Sequence, residues 1–271
     1  MLILAKILIT FLTVVLLARV AEQMSPRHAG LLAGFPLGTG IALYFFGWQQ
    51  GTDFAATSAV FTLSGLTSAV CLAWGYWQVI RRHTGLHWVP VAMISGLLCF
   101  FASSWLLQQL PPHRGLGLLV VVGAIVCFHT LFRAIDETAP LSSDPYIGAD
   151  WFHKPLVRLL FRAAMATFTI LLITGLADVL GPQRAGLLAA FPVSFFPLLL
   201  ILHLGQGASV VARTIRHYPD GLGALVVYAL CVSYTYPVLG LHWGTVVCLV
   251  ASLLYLFVYG YLRQRLLRPA A

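Results

Sequence analysis

Residues 24–36 read MSPRHAGLLAGFP, and residues 180–192 read LGPQRAGLLAAFP. At a constant shift of 156 positions the two copies share prolines, glycines and an acidic position; the matched pairs are Pro26 and Pro182, Pro36 and Pro192, Gly51 and Gly207, and Glu22 and Asp178. Segments rich in Leu and Ala match by chance over short runs, but not in one ungapped register that carries such residues. The sequence therefore predicts an internal duplication.

The composition is that of a membrane protein. Hydrophobic residues make up 60% of the 271 residues and charged residues only 9%. Soluble domains carry charges at about a quarter of their positions, so an ordinary soluble domain is excluded. Apolar runs of about 20 residues can cross ~30 Å of hydrocarbon as helices. Because lipid offers the backbone no hydrogen-bond partners, we predict an all-α polytopic membrane protein.

The apolar runs predict nine transmembrane helices, at residues 2–20, 27–47, 54–80, 88–107, 115–133, 157–179, 183–204, 219–239 and 241–262. They divide into a first repeat of four spans (1–114), a connecting span (115–133), an acidic cytoplasmic linker (134–154) and a second repeat of four spans (155–271). Of the 16 Lys and Arg residues, 13 fall on one face, and only Lys6, Arg114 and Arg184 fall on the other. By the positive-inside rule the amino terminus is periplasmic and the carboxyl terminus cytoplasmic.

The two repeats are expected to have opposite orientations, because five crossings separate the first span from its equivalent. Inverted repeats with broken helices at matching positions are typical of secondary transporters. Pro36 and Pro192 each lie ten residues after a helix-starting proline, which places them ~15 Å into the ~30 Å slab. The sequence therefore predicts a substrate site at the membrane midplane, lined by Phe35, Pro36, Gly38, Thr39, Gly40, Phe191, Pro192 and Ser194. The alternative is that both prolines are ordinary kinks.

Two further groups are candidates. Glu22 and Asp178 are matched acids, each four residues before a helix-starting proline, and they are predicted to couple transport to protons. Their alternative role is structural, near the positive end of the next helix. Ser233 and Tyr234 place hydroxyls inside a span and are predicted to line a polar path. Alternatively, the hydroxyl of Ser233 bonds a neighbouring helix and Tyr234 belongs to the aromatic belt.

Other classes of function are not indicated. His129 and His203 have no companions at metal-ligand spacing, and the chain has no phosphate-binding loop and no GxSxG motif. We therefore expect no metal, no cofactor and no enzymatic activity. The net charge of +8 is explained by topology rather than by nucleic-acid binding, because no basic cluster alternates with exposed aromatic residues.

The second copy resembles a known family in several short sequence segments and single residues. These are Ala185-Gly186-Leu187, Phe191-Pro192, His203, Gly205, Arg213-Thr214-Ile215, Ser233 and Tyr236-Pro237. In these it is similar to GlpM, a family of small bacterial inner-membrane proteins with four spans; the first copy lacks the Arg-Thr-Ile element. The resemblance implies a bacterial inner-membrane location rather than a reaction. The layout of four spans, one span and four spans also resembles the bile acid:sodium symporter architecture without its first helix, although no sodium-site residue can be matched.

The expected function is that of a secondary carrier for a small solute, working by alternating access and coupled to protons or sodium. The expected partners are the lipid bilayer, the solute and a second copy or a membrane complex. The alternative is a non-catalytic membrane subunit that scaffolds or regulates an envelope or lipid-modifying complex.

Overall fold

The computed structural model describes residues 2–23, 36–83, 85–133, 135 and 154–266. Every regular element in these ranges is helical, which confirms the all-α prediction. The elements are α1 (Leu2–Gln23), α2 (Leu37–Gln50), α3 (Thr52–Ile80), a 3-10 turn (Leu86–Trp88), α4 (Val89–Leu107), α5 (Arg114–Phe132), α6 (Pro155–Ala189), α7 (Phe195–Gln206), α8 (Ala208–Arg216) and α9 (Tyr218–Leu266). The predicted acidic linker lies almost entirely outside the described residues.

Five helices of the described chain are long and apolar enough to cross a membrane: α3, α4 with the preceding 3-10 turn, α5, α6 and α9. Their outer surfaces are apolar, since Leu98, Leu119 and Phe257 are 64%, 70% and 67% exposed. Soluble monomers rarely expose contiguous apolar patches of more than a few hundred Å². These features are consistent with a multi-pass membrane protein.

Two of the helices are longer than one crossing. Helix α6 has 35 residues and α9 has 49, and straight helices of those lengths would span about 52 and 74 Å against ~30 Å of hydrocarbon. Each is interrupted by a glycine with non-helical backbone angles, Gly181 (φ 71°, ψ 170°) in α6 and Gly240 (φ 72°, ψ −178°) in α9. Each long element therefore consists of two helical segments. The predicted span ends at 179 and 239 fall within two residues of these glycines.

Helix α3 is the centre of the bundle. Twenty of its 29 residues are buried, and it packs against α2, α4, α5, α6 and α9. A helix that is apolar on all sides is expected at the core of such an assembly. Around it, α2, α6 and the first segment of α9 form the inner layer, whereas α4 and α5 present apolar faces outward.

The two glycines that the shift of 156 aligns have nearly the same backbone conformation. Gly51 separates α2 from α3 with φ 94° and ψ 162°, and Gly207 separates α7 from α8 with φ 88° and ψ 174°. Side chains disfavour such positive φ values, so both junctions require glycine. The preceding residue is also the same, Gln50 in one copy and Gln206 in the other.

Candidate functional site

Two helix starts, each marked by a proline, lie at positions that the shift of 156 aligns. Pro36 directly precedes α2, and its carbonyl accepts a hydrogen bond from the N–H of Gly40 at 2.8 Å. Pro192 lies in the turn between α6 and α7, and its carbonyl accepts a hydrogen bond from the N–H of Phe196 at 2.9 Å. Gly40 and Phe196 are themselves an aligned pair, so both copies begin a helix with the same backbone bond at the same place.

These two helix starts contact each other. A Cβ atom on Gly38 would lie 2.8 Å from the Cβ of Val193, so only a residue without a side chain lets the segments approach this closely. Thr39 is 1% exposed, and its Oγ1 donates a hydrogen bond to the carbonyl of Ala189 at 3.0 Å. Ala189 is the last residue of α6, where carbonyls lack partners within the helix, and Thr39 supplies the missing donor. The predicted residues Gly38 and Thr39 therefore lie where the copies meet.

The other described residues predicted at these two helix starts are mostly buried. Gly40 faces the buried ring of Tyr228, whose Cζ would lie 3.3 Å from an added Cβ. Phe191 is half-buried and packs edge to face on Phe100, with ring centroids 5.1 Å apart. Ser194 is half-buried at the position before α7. Pro36 and Pro192 are both buried. The contact between the two helix starts is thus mostly apolar, with the Thr39 hydroxyl and the Ala189 carbonyl as its polar groups.

The second segment of α6 continues the interface along α3. A Cβ on Gly186 would lie 2.1 Å from the carbonyl oxygen of Ser58, so the two backbones are almost in contact. Thr62 Oγ1 lies 2.9 Å from both the Ser58 carbonyl and the Gly186 carbonyl and bridges the helices. On the next turn Gly65 approaches Leu187 in the same way. Small residues and hydroxyls of this kind are the usual means of close helix packing in membranes.

Ser233 and Tyr234 belong to a different group, together with Arg114 at the start of α5. The Arg114 Nε donates to Ser233 Oγ at 3.1 Å, its Nη2 donates to the Ser233 carbonyl at 2.9 Å, and its guanidinium lies 4.3 Å from the ring centroid of Tyr234. The Ser233 carbonyl needs this donor because the residue four positions on, Pro237, has no N–H. Ser233 therefore bonds a side chain of a neighbouring helix, which is the alternative role given for it above.

Tyr234 points away from the interior. Its side chain is 56% exposed, whereas Tyr228, Val232 and Tyr236 are each 0% exposed. Those three residues are spaced by four and therefore share one face of α9, which turns Tyr234 outward. Tyr236 donates to or accepts from Thr245 Oγ1 at 2.9 Å. The inward-facing tyrosines were missed in the sequence, although their spacing could have identified them.

The structure describes the side chain of one of the two predicted coupling acids. Asp178 is on α6, three residues before the break at Gly181, and its side chain is exposed. Glu22 lies in α1, but its side chain is outside the described residues, as is Phe35. The described chain contains no cluster of three or more residues suited to hold a metal ion.

Lys6 was not expected in the interior. By the predicted topology Lys6 is one of the charges of the periplasmic face, yet its side chain is only 4% exposed. Its Nζ lies 2.8 Å from Thr174 Oγ1 on α6 and 5.8 Å from the ring centroid of Phe45 on α2. A lysine so close to the start of a helix normally extends to the membrane surface. Lys6 is the buried cation that the sequence analysis missed.

Comparison with family models, with curated proteins and with solved structures found no match to this chain. The similarity to GlpM and the layout shared with bile acid:sodium symporters therefore stay predictions.

Proposed function

We propose that this protein is a secondary carrier that moves a small solute across the bacterial inner membrane by alternating access, with protons as the coupling ion. In this proposal the chain makes nine crossings in two inverted repeats, and its amino terminus is periplasmic. The site lies where the two proline-marked helix starts meet.

The direction of α2 relative to α7 is the observation that carries the proposal. Their starts meet at the contact between Gly38 and Val193. Helix α2 ends beside the start of α3, to which Gly51 joins it, whereas His203 near the end of α7 bonds Tyr76 at 2.8 Å. Tyr76 lies 24 residues beyond Thr52, about 36 Å along α3. Equivalent helices that start together and end at opposite ends of α3 are what inverted repeats require.

Contacts near the helix ends agree with the predicted topology. Tyr44 meets His242 at 3.3 Å, and the Gln183 side chain donates to the carbonyl of Gln108; all four are assigned to the periplasmic side. At the other end His129 lies 3.3 Å from Asp220, and both are assigned to the cytoplasmic side. The predicted alternation of the spans therefore pairs residues that lie close in space.

A pair of opposed repeats suits alternating access. When two equivalent halves exchange conformations, a site between them faces first one side of the membrane and then the other. The contact at Gly38 and Val193 joins nearly equivalent positions, since Leu37 aligns with Val193 and Gly38 with Ser194. Residues that lie near a two-fold axis contact their own equivalents, so such an axis would pass close to this point. The hydroxyls of Thr39 and Ser194 provide the nearby polar groups.

Flux measurements on reconstituted protein test the proposal. Proteoliposomes should accumulate a solute when a proton gradient is imposed, and the double variant Glu22→Gln with Asp178→Asn should shift the pH dependence of that flux. The matched control is Asp53→Asn, an exposed acid at the start of α3 that should leave the pH dependence unchanged. If the double variant keeps the pH dependence of the wild type, Glu22 and Asp178 do not couple transport to protons. Co-purification with an enzyme and absence of flux for every solute would favour the scaffold instead.

A further inference from the structure

Among the described residues, the buried ammonium of Lys6 has one hydrogen-bond acceptor, the hydroxyl of Thr174. Thr174 Oγ1 lies 2.8 Å from the carbonyl of Ile170 and donates its own hydrogen there. The same oxygen therefore accepts a hydrogen bond from the Lys6 ammonium. An ammonium has three N–H donors, so two remain for another acceptor. The ring of Phe45 stabilises the charge only weakly.

No carboxylate in the described chain lies within ion-pair distance of Lys6. The side chains of Asp53, Asp178 and Asp220 are described, and Asp220 lies instead within 4 Å of His129 and His217. Charges inside a membrane bundle are costly and normally pair or line a path for a charged ligand. The Lys6 ammonium therefore has donors for an anionic group that no described carboxylate uses.

Arg162 is the equivalent of Lys6, since the shift of 156 aligns the two residues. Its Nε atom is buried and has no hydrogen-bond partner among the described residues. Arg162 lies twelve residues before Thr174 on α6, which is about 18 Å along the helix from the Lys6 ammonium. Lys6 is close to the start of α1, and Arg162 is close to the start of α6. Each repeat thus places one basic group a few residues inside the start of its first helix: Lys6 is buried, and Arg162 is half-buried with a buried Nε.

We infer that Lys6 and Arg162 bind the anionic group, a carboxylate or a phosphate, of the ligand that this protein carries. The inference rests on the proposed carrier function and adds to it the charge of the solute. In opposed repeats the two groups face opposite sides of the membrane, so each would hold the anion in one of the two access states. The same chemistry would recognise the headgroup of an anionic lipid, and the experiment separates the two sources.

The test is ligand-induced thermal stabilisation of the full chain, purified in an uncharged detergent. The probes are inorganic phosphate, succinate and phosphatidylglycerol, with choline chloride at equal ionic strength as the control. We expect at least one anionic probe to raise the unfolding temperature of the wild type. In Lys6→Met and Arg162→Gln the half-saturating concentration should rise about tenfold or more, because each loses a charge-assisted hydrogen bond. Lys6→Arg should restore the response, and Arg184→Gln, which removes an exposed arginine of α6, should not change it.

Each result decides one point. A response to phosphate or succinate that depends on Lys6 supports a soluble anionic solute, and a response to phosphatidylglycerol alone assigns the site to a lipid headgroup. No response to any probe, or one that is equal in the wild type and Lys6→Met, overturns the inference. Anion binding without flux in proteoliposomes would refute the carrier function but would still support the anion site at Lys6 and Arg162. Flux of an uncharged solute that is unchanged in Lys6→Met would refute the anion site but would still support the carrier function.

Discussion

The close approach of α3 and α6 at Gly186 predicts a large effect from one methyl group. In Gly186→Ala the new Cβ would lie 2.1 Å from the Ser58 carbonyl oxygen, where ordinary contacts begin at 3.4 Å. The helices must separate by the difference, 1.3 Å. That separation would stretch the 2.9 Å bond from Thr62 to the Gly186 carbonyl beyond hydrogen-bonding distance.

The magnitude follows from three terms. Overpacking a tight interface costs about 1 to 3 kcal/mol, and losing a buried hydrogen bond costs about 0.5 to 1.5 kcal/mol. Alanine in a helix returns about 0.5 to 1 kcal/mol relative to glycine. We expect a net loss of about 2 kcal/mol from the free energy of unfolding, within a range of about 0.5 to 4 kcal/mol.

Gly175→Ala is the matched control. Gly175 is in the first segment of α6, is exposed, and has no atom within 4 Å of an added Cβ. Only the helix-propensity term applies there, so the variant should be as stable as the wild type or more stable by up to about 1 kcal/mol. The measurement is reversible unfolding of both variants in mixed detergent micelles, followed by circular dichroism. Equal stability of Gly186→Ala and Gly175→Ala would refute the backbone contact on which this reasoning depends.

Three further predictions concern single sites. Without added anions, Lys6→Met should raise the unfolding temperature, because it removes a buried charge that no described carboxylate neutralises; a lower temperature would mean that another carboxylate of the chain neutralises Lys6. Arg114→Gln should lower the free energy of unfolding by about 1 to 3 kcal/mol in the wild type. In a Pro237→Ala background the loss should be clearly smaller, because the new main-chain N–H can bond the Ser233 carbonyl that Arg114 has released. Additive effects in a double-mutant cycle would contradict this. Gly51→Ala and Gly207→Ala should each cost about 1 to 2 kcal/mol because both glycines have positive φ, and unchanged unfolding curves would show that these junctions do not need glycine.

The positions of helices and of their interruptions could be predicted from the sequence. The apolar length of residues 54–80 predicts a span that the structure extends by only two residues, to α3 at Thr52–Ile80. The breaks at Gly181 and Gly240 were also placed within two residues, since glycine and proline interrupt helices for local steric reasons. Such features depend on neighbours in sequence, so they can be read without a structure.

Side-chain direction was harder to predict. Tyr234 and Tyr236 are both hydroxyl-bearing residues of one span, but Tyr234 is 56% exposed and Tyr236 is 0% exposed, because only one face of α9 packs against the other helices. The sequence places Lys6 on the periplasmic face only by the count of charges, whereas its contact with Thr174 depends on how α1 packs on α6. Both side-chain directions depend on tertiary contacts between residues that are far apart in the chain.

The orientation of the two repeats is the central claim, and cysteine accessibility tests it directly. Gln50 and Gln206 occupy equivalent positions, both are exposed, and each directly precedes a positive-φ glycine. Gln50→Cys and Gln206→Cys would be introduced into a chain whose five native cysteines are replaced by alanine, and intact spheroplasts would be treated with a membrane-impermeant maleimide. Opposed repeats predict that the cysteine at position 50 reacts at once and that the cysteine at position 206 reacts only after the membrane is permeabilised. Reaction of both cysteines from the same side would contradict the inverted arrangement and, with it, the proposed carrier.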